Sequence, residues 1–229
     1  MQSEEEKTEY GQATAGLLHS VFADGVDRAV LLMRHSAREY VPDRHDLENP
    51  LTEAGRAYAW NLGQQIPRHL TLRGYASPPH RCMETAERVL AGHAARGGAI
   101  TRHRPLEALG VFYALDQIRM WKGMRAAGGL PAYVQDWLDG SVPGGTMIDP
   151  DVATGIILRV MTDMLAATIA EAQLDVCVSH DMTLYLMRAS LFGDAPGDHE
   201  VAYLDGVVLY QQAGELRLRN AEGADVTVG

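Results

Sequence analysis

The chain has 229 residues, 46% of them apolar, and a formal net charge of −10, so it holds ample material for a sizeable core. That acidity argues against nucleic acid or an anionic membrane as the main partner, because both need a surplus of Lys and Arg. The two cysteines, Cys82 and Cys177, lie far apart with no CxxC or Cys/His spacing, which argues against a metal framework and reads as two reduced, part-buried thiols.

The first nine residues are polar and acidic where a secretory signal would be basic, and no apolar run reaches membrane-spanning length, so a cytoplasmic location is expected. A helix follows over QATAGLLHSVFA, then RAVLLMRH, a continuous apolar strand of the kind covered on both faces. LTEAGRAYAWNLGQQI reads as a helix capped by Thr52 and closed by Pro67. LTLRGYASP is a short strand, HRCMETAERVLAGHAA a helix, and GGAITRHRPL a charged strand at a sheet edge.

From about 110 to 150 the pattern breaks into short helical pieces between Gly-Gly and Pro, as expected of a cap over a site. A long helix over DVATGIILRVMTDMLAATIAEA leads into LDVCVSH, a fourth buried strand, followed by the helix DMTLYLMRASLFG. GVVLYQQAGELRLRN is a hairpin turning at Ala213-Gly214. Alternating strands and helices predict a three-layer α/β/α sandwich with a mostly parallel sheet: one domain over 1–229, with a small helical cap insertion at about 110–150.

In such sheets the ligand lies beyond the C-terminal ends of the strands. If the first, second and fourth strands are neighbours, their ends bring Arg34, His35, Arg38, Arg81, His180 and Asp181 to one edge. Arginines that lose hydration at a strand end need an anionic partner, and three guanidiniums suit a dianionic phosphoryl group. The two histidines offer a nucleophile and a further donor; a leaving group then needs an acid.

These stretches resemble the histidine phosphatase superfamily: LLMRHSAR, LTEAGRAYAWNLG, SPPHRCMETA and VSHDMT follow one another at family-like intervals. The resemblance covers roughly 28–92 and 174–190. It implies that His35 is phosphorylated during turnover, that Arg34 and Arg81 clamp the phosphate, and that His180 is the second histidine. Arg38 and the His180-Asp181 pair look more like the acid phosphatase and phytase branch, although this chain is much shorter than most of its members. In that branch the Asp protonates the leaving oxygen, which makes Asp181 the first choice of general acid. Glu107, near where the phosphoglycerate mutase branch keeps its acid, stands in reserve.

Ser36 replaces the family's usual Gly after the nucleophile. Either it carries positive-φ strain of about 1–3 kcal/mol, or its backbone is ordinary and its hydroxyl donates to phosphate. No metal or organic cofactor is implied. The resulting expectation is a phosphomonoesterase for a small organic phosphate, with a phosphotransferase or mutase, or a catalytically silent phosphate-binding module, as alternatives. Monomer and homodimer both remain open. His80, beside Arg81, is a further candidate contact, whereas Arg28, Arg44, Arg56, Arg68, Arg88 and Arg96 read as solvated, and Trp121, Trp137, Tyr113 and Tyr133 as cap core.

Overall fold

In a computed structural model, which describes residues 10–41 and 48–228, the first apolar run forms β1 (Arg28–Arg34) and is covered on both faces. Leu31 and Met33 enter one core, built with α1 (Gln12–Ala23), α2 (Glu53–Gln65) and α3 (His80–Ala95). Val30 and Leu32 enter the other, against α6 (Pro150–Ala166) and α7 (Asp181–Phe192). The alternation is the period-2 geometry of a strand. Each of these four side chains is fully buried, worth roughly 1.5–3 kcal/mol apiece. The three layers expected from the sequence follow directly. The expectations for residues 1–9 and for Arg44 fall outside the described residues.

The remaining strands are β2 (Thr71–Ala76), β3 (Ala99–Pro105), β4 (Gln173–Ser179), β5 (Gly206–Gln212), β6 (Glu215–Asn220) and β7 (Asp225–Thr227). Among the described residues they form a seven-stranded sheet in the order β3-β2-β4-β1-β5-β6-β7. From β3 to β1 the pairing is parallel, and from β1 to β7 antiparallel. The parallel half positions the site, because β2, β4 and β1 are immediate neighbours. In register, Arg34 lies opposite Ser179 and Ala76 opposite Val178. The ladder runs one rung further, with His35 N–H donating to Ser179 O at 3.0 Å and Ser77 N–H to Val178 O at 2.9 Å.

Two helices brace these strand ends. Thr52 caps α2, its Oγ1 accepting from Gly55 N–H at 2.8 Å. Gly55 is required there: a Cβ would stand 2.0 Å from the Ala37 carbonyl oxygen, so any side chain would push α2 off the segment leaving β1. A Cβ at Gly63 would meet Val89 O at 2.0 Å, which is how α2 and α3 lie backbone to backbone. Beneath them, Arg73 and Asp175 sit opposite each other on β2 and β4 as a fully buried bidentate ion pair, Nη2 to Oδ2 2.6 Å. Gln173 Nε2 and the Met164 carbonyl complete its hydrogen bonds.

The segment between β3 and α6 carries a short 3-10 turn (Glu107–Leu109), α4 (Gln117–Ala127) and α5 (Leu130–Leu138). Tyr113, Tyr133 and Trp137 are its core, as expected, but Trp121 is 49% exposed. Trp137 Nε1–H donates to Ile148 O at 2.8 Å, and the Tyr113 hydroxyl meets Thr183 Oγ1 of α7 at 2.9 Å.

Two elements depart from expectation. The helix expected to run to Ala172 ends at Ala166, because the chain must reverse to enter β4 beside Asp27. Gln173 secures that reversal, accepting from Ile169 N–H and donating to Ala167 O. The short β7 follows the tight Asn220-to-Ala224 return, too brief to show a period in sequence. Among the described residues no helix is long and apolar enough to cross a membrane.

Candidate active site

The rungs beyond β1, β4 and β2 carry His35, His180 and Ser77, with Arg81 in the first turn of α3. His35 is 3% exposed. Its Nδ1–H donates to Ser36 O at 2.8 Å, which leaves Nε2 with the lone pair. Burial, with His180 and then Arg81 beside it, holds its pKa well below the usual 6.5, so the ring is neutral at neutral pH and able to act as a nucleophile. Arg81 Nε donates to that lone pair at 3.2 Å.

Arg81 Nη2 lies 3.5 Å from His180 Nδ1, and Ser77 Oγ 2.8 Å from His180 Nε2. The two histidine rings meet edge to face, 5.8 Å between centroids. Beneath His180 lies Cys82, its sulfur 3.9 Å from Nε2. Burial pushes that thiol up to about 12, so it is an inert filler rather than a thiolate.

Arg34 forms the other wall. Its Nη1 donates to Val201 O at 2.6 Å, its Nη2 pairs with Asp181 Oδ2 at 3.0 Å, and its guanidinium stacks 4.1 Å above the Tyr203 ring. Its Nε is a buried donor with no acceptor among the described residues. A buried N–H left unpaired costs about 1–3 kcal/mol, and an anion beside His35 would satisfy it. Asp181 opens α7 and also accepts from Met182 N–H at 2.9 Å.

The remaining candidates take different places. Ser36 has neither of the roles considered for it. Positive φ among described non-glycine residues occurs at Leu204 and Ala213, not at Ser36. Its hydroxyl donates to Gly55 O at 2.7 Å, away from the cage, and its N–H to Thr85 Oγ1 at 3.0 Å. Serine thus ties the segment after β1 to α2 and α3, with its hydroxyl turned to Gly55. Arg38 is half-buried in a bridge to Leu51, and its charge reaches Cys82 at the cage floor. Glu107 is exposed in the turn after β3. That turn is held to the site because Ser179 Oγ donates to Leu109 O at 2.7 Å, and a Cβ on Gly110 would lie 3.4 Å from Ser77 Oγ. His80 is drawn off to Glu84, as is Arg56.

Sequence reasoning missed Tyr203 and the Val201 carbonyl as supports of Arg34, and Ser77 as the partner of His180. Ser77 had a signal, standing at a strand end just before the proline pair. Tyr203 had none, because only the tertiary fold brings its loop to β1.

Residues 30–106 match the family model described as histidine phosphatase superfamily (branch 1). No curated protein sequence matches the chain. Among solved structures, a mycobacterial glucosyl-3-phosphoglycerate phosphatase in complex with VO3 superposes with a TM-score of 0.56 and 18% identity, over 84% of this chain and 97% of that one. The phosphoglycerate mutase of Bacillus anthracis gives 0.54 and 16%, over 86% and 94%. The Entamoeba histolytica phosphoserine phosphatase in complex with 3-phosphoglyceric acid gives 0.54 and 16%, over 88% and 95%. At such identities these share the fold, and function must be argued from the site. The family match is to branch 1, and the similar folds named here are phosphatases of phosphorylated metabolites and a mutase. Resemblance at superfamily level therefore holds, whereas the acid phosphatase and phytase branch is not the one matched: Arg38 and Asp181 are too few positions to set it.

Proposed function

We propose that this chain, a member of the histidine phosphatase superfamily, hydrolyses small organic phosphomonoesters through a phosphohistidine formed on His35 Nε2. The observation that carries the reading is the locked tautomer of His35, neutral and ringed by Arg34, Arg81 and His180. In the first step Nε2 attacks phosphorus, and the phosphorus–oxygen ester bond breaks. Arg34, Arg81 and His180 hold the equatorial oxygens, supplying the electrostatic stabilisation that dominates phosphoryl transfer. A general acid gives its proton to the departing alkoxide. As carboxylate it then takes a proton from water, which attacks phosphorus, breaks the phosphorus–nitrogen bond and releases orthophosphate.

For that acid we select Glu107 over Asp181. Asp181 is already engaged as an acceptor, by Arg34 and by its own helix N–H. Glu107 opens the turn after β3, near where the resemblance to the mutase branch puts the acid, immediately after the stretch that matches the branch 1 model. Residues 110–150 act as a cap within a single domain, with Leu130 and Pro131 walling a cleft over Arg34. Two free, buried cysteines are compatible with a reducing, cytoplasmic setting.

The test is phosphate release from an aryl phosphate by wild type and His35→Ala. Turnover that falls to background in the variant is expected. Labelled phosphate recovered in a product ester would assign a phosphotransferase instead, and a phosphorylated ligand that binds and persists unchanged would assign a silent binding module.

A further inference from the structure

The cleft that opens on Arg34 has a volume of about 380 Å³, within the range of small-molecule sites. Its walls include Leu130 and Tyr185, and its carboxylate, imidazole and guanidinium lining among the described residues is Arg34, Asp181, His199 and Glu200. Among the described residues that line it Arg34 is the one guanidinium, and three groups hold it: the Val201 carbonyl, Asp181 and the Tyr203 ring. Its buried, unpartnered Nε is the donor left for a phosphoryl oxygen. Once a phosphoryl dianion engages Arg34, the charge of Asp181 is no longer offset by that arginine alone. The organic part of the ester then faces two carboxylates, Asp181 and Glu200, with no lysine or second arginine among the described residues that line the cleft. The formal charge of −10 on the whole chain adds to the field against a second anion.

We infer that the phosphomonoester taken by this site carries an ammonium group, seated between Asp181 and Glu200, and that Glu200 sets this preference. The inference rests on the phosphatase reading above. A substrate of this kind is an amino-alcohol phosphate: the dianion binds in the cage, a short chain lies along Leu130 and Tyr185, and the cation sits at the acidic wall. A phosphorylated acid of the same size would place carboxylate against carboxylate, and like charges in a partly enclosed cleft repel.

The test is competition against aryl phosphate hydrolysis at about pH 8, where ordinary imidazoles are neutral. The probes are 2-aminoethyl phosphate, 2-hydroxyethyl phosphate and carboxymethyl phosphate, compared by inhibition constant. The aminoethyl ester is expected to compete at least about tenfold more tightly than the carboxymethyl ester, with the hydroxyethyl ester between, a gap of one hydrogen-bonded charge pair. Glu200→Lys is expected to reverse the order of the two charged probes. Equal or tighter competition by the carboxymethyl ester, or an order unchanged by Glu200→Lys, would overturn the assignment while leaving the phosphatase reading intact. Absence of aryl phosphate hydrolysis by wild type, with no phosphoryl group on His35, would remove that reading and this inference together.

Discussion

His35, Arg81 and His180 are each 5% exposed or less and hang from adjacent strand ends and the first turn of α3, whereas Asp181 is 31% exposed and shares its wall with the loop residues His199 and Glu200. The cage is built on parallel strand ends, where the register fixes the place of each side chain. One side of the cleft is a loop, residues 196–201, where a side chain can change without disturbing a strand. On the proposed reading, chemistry belongs to the sheet and selectivity to the segments laid over it. Arg34 belongs to both, since it ends β1 yet is held by Val201 and Tyr203 from the loop before β5.

Breaking the cage or removing the acid has the largest expected effect. Arg81→Ala removes the guanidinium that touches both histidines and should lower kcat/KM by about 10²–10³, the usual loss for one transition-state donor. Steady-state kinetics on an aryl phosphate checks this, and a loss confined to KM would contradict it. Next, the two carboxylates should separate by leaving group. Glu107→Gln should slow phosphorylation of His35 by an alkyl ester by about 10²–10⁴ and by a nitrophenyl ester far less, because nitrophenolate departs without a proton. Asp181→Asn should show no such dependence and act mainly through KM, since Asp181 positions Arg34. The reverse pattern would return the acid to Asp181.

Beneath the cage, Asp175→Asn leaves Arg73 as an uncompensated buried charge and should lower the unfolding free energy by about 3–5 kcal/mol, measurable by urea denaturation. A change below about 1 kcal/mol would show that the strands do not depend on the pair. His35 adds a pH dependence. It is held neutral in the fold by burial, His180 and Arg81, with its pKa well below 6.5, while the unfolded chain protonates it near that value. The unfolded state then binds more protons, so this contribution is fully present above pH 6.5 and is lost as pH falls toward the depressed native pKa. His35→Asn should flatten that acid limb of Tm against pH; an unchanged limb would mean that other groups, such as His93, whose burial also lowers its pKa, account for all of it. The smallest effect belongs to Ser36→Ala, which removes one hydroxyl bond to Gly55 and should cost about 1 kcal/mol with activity within a few-fold of wild type.

The parallel half of the sheet was legible in sequence because its signals are local. β1 and β4 are continuous apolar runs, Thr52 caps α2, and Gly193 closes α7 in the left-handed region. The hairpin turn at Ala213-Gly214, both with positive φ, was legible for the same reason. His35, Arg81 and His180 followed from applying the strand-end rule to those runs. What the sequence concealed depends on distant contacts. The stacking of Tyr203 on Arg34 spans most of the chain, and the turning of the Ser36 hydroxyl toward Gly55 depends on how closely α2 approaches. The ion pair of Asp181 with Arg34, which changes its candidacy as acid, needs β1 beside β4 before it can be seen.

The central claim is that His35 Nε2 becomes covalently phosphorylated. Wild type mixed with a labelled phosphomonoester and quenched in alkali within the first turnovers tests it most directly. The account predicts an acid-labile, alkali-stable phosphoryl group on the peptide that contains His35, formed and discharged at rates no slower than kcat. Turnover without any phosphoryl group on that peptide, or with the group on His180 instead, would contradict it.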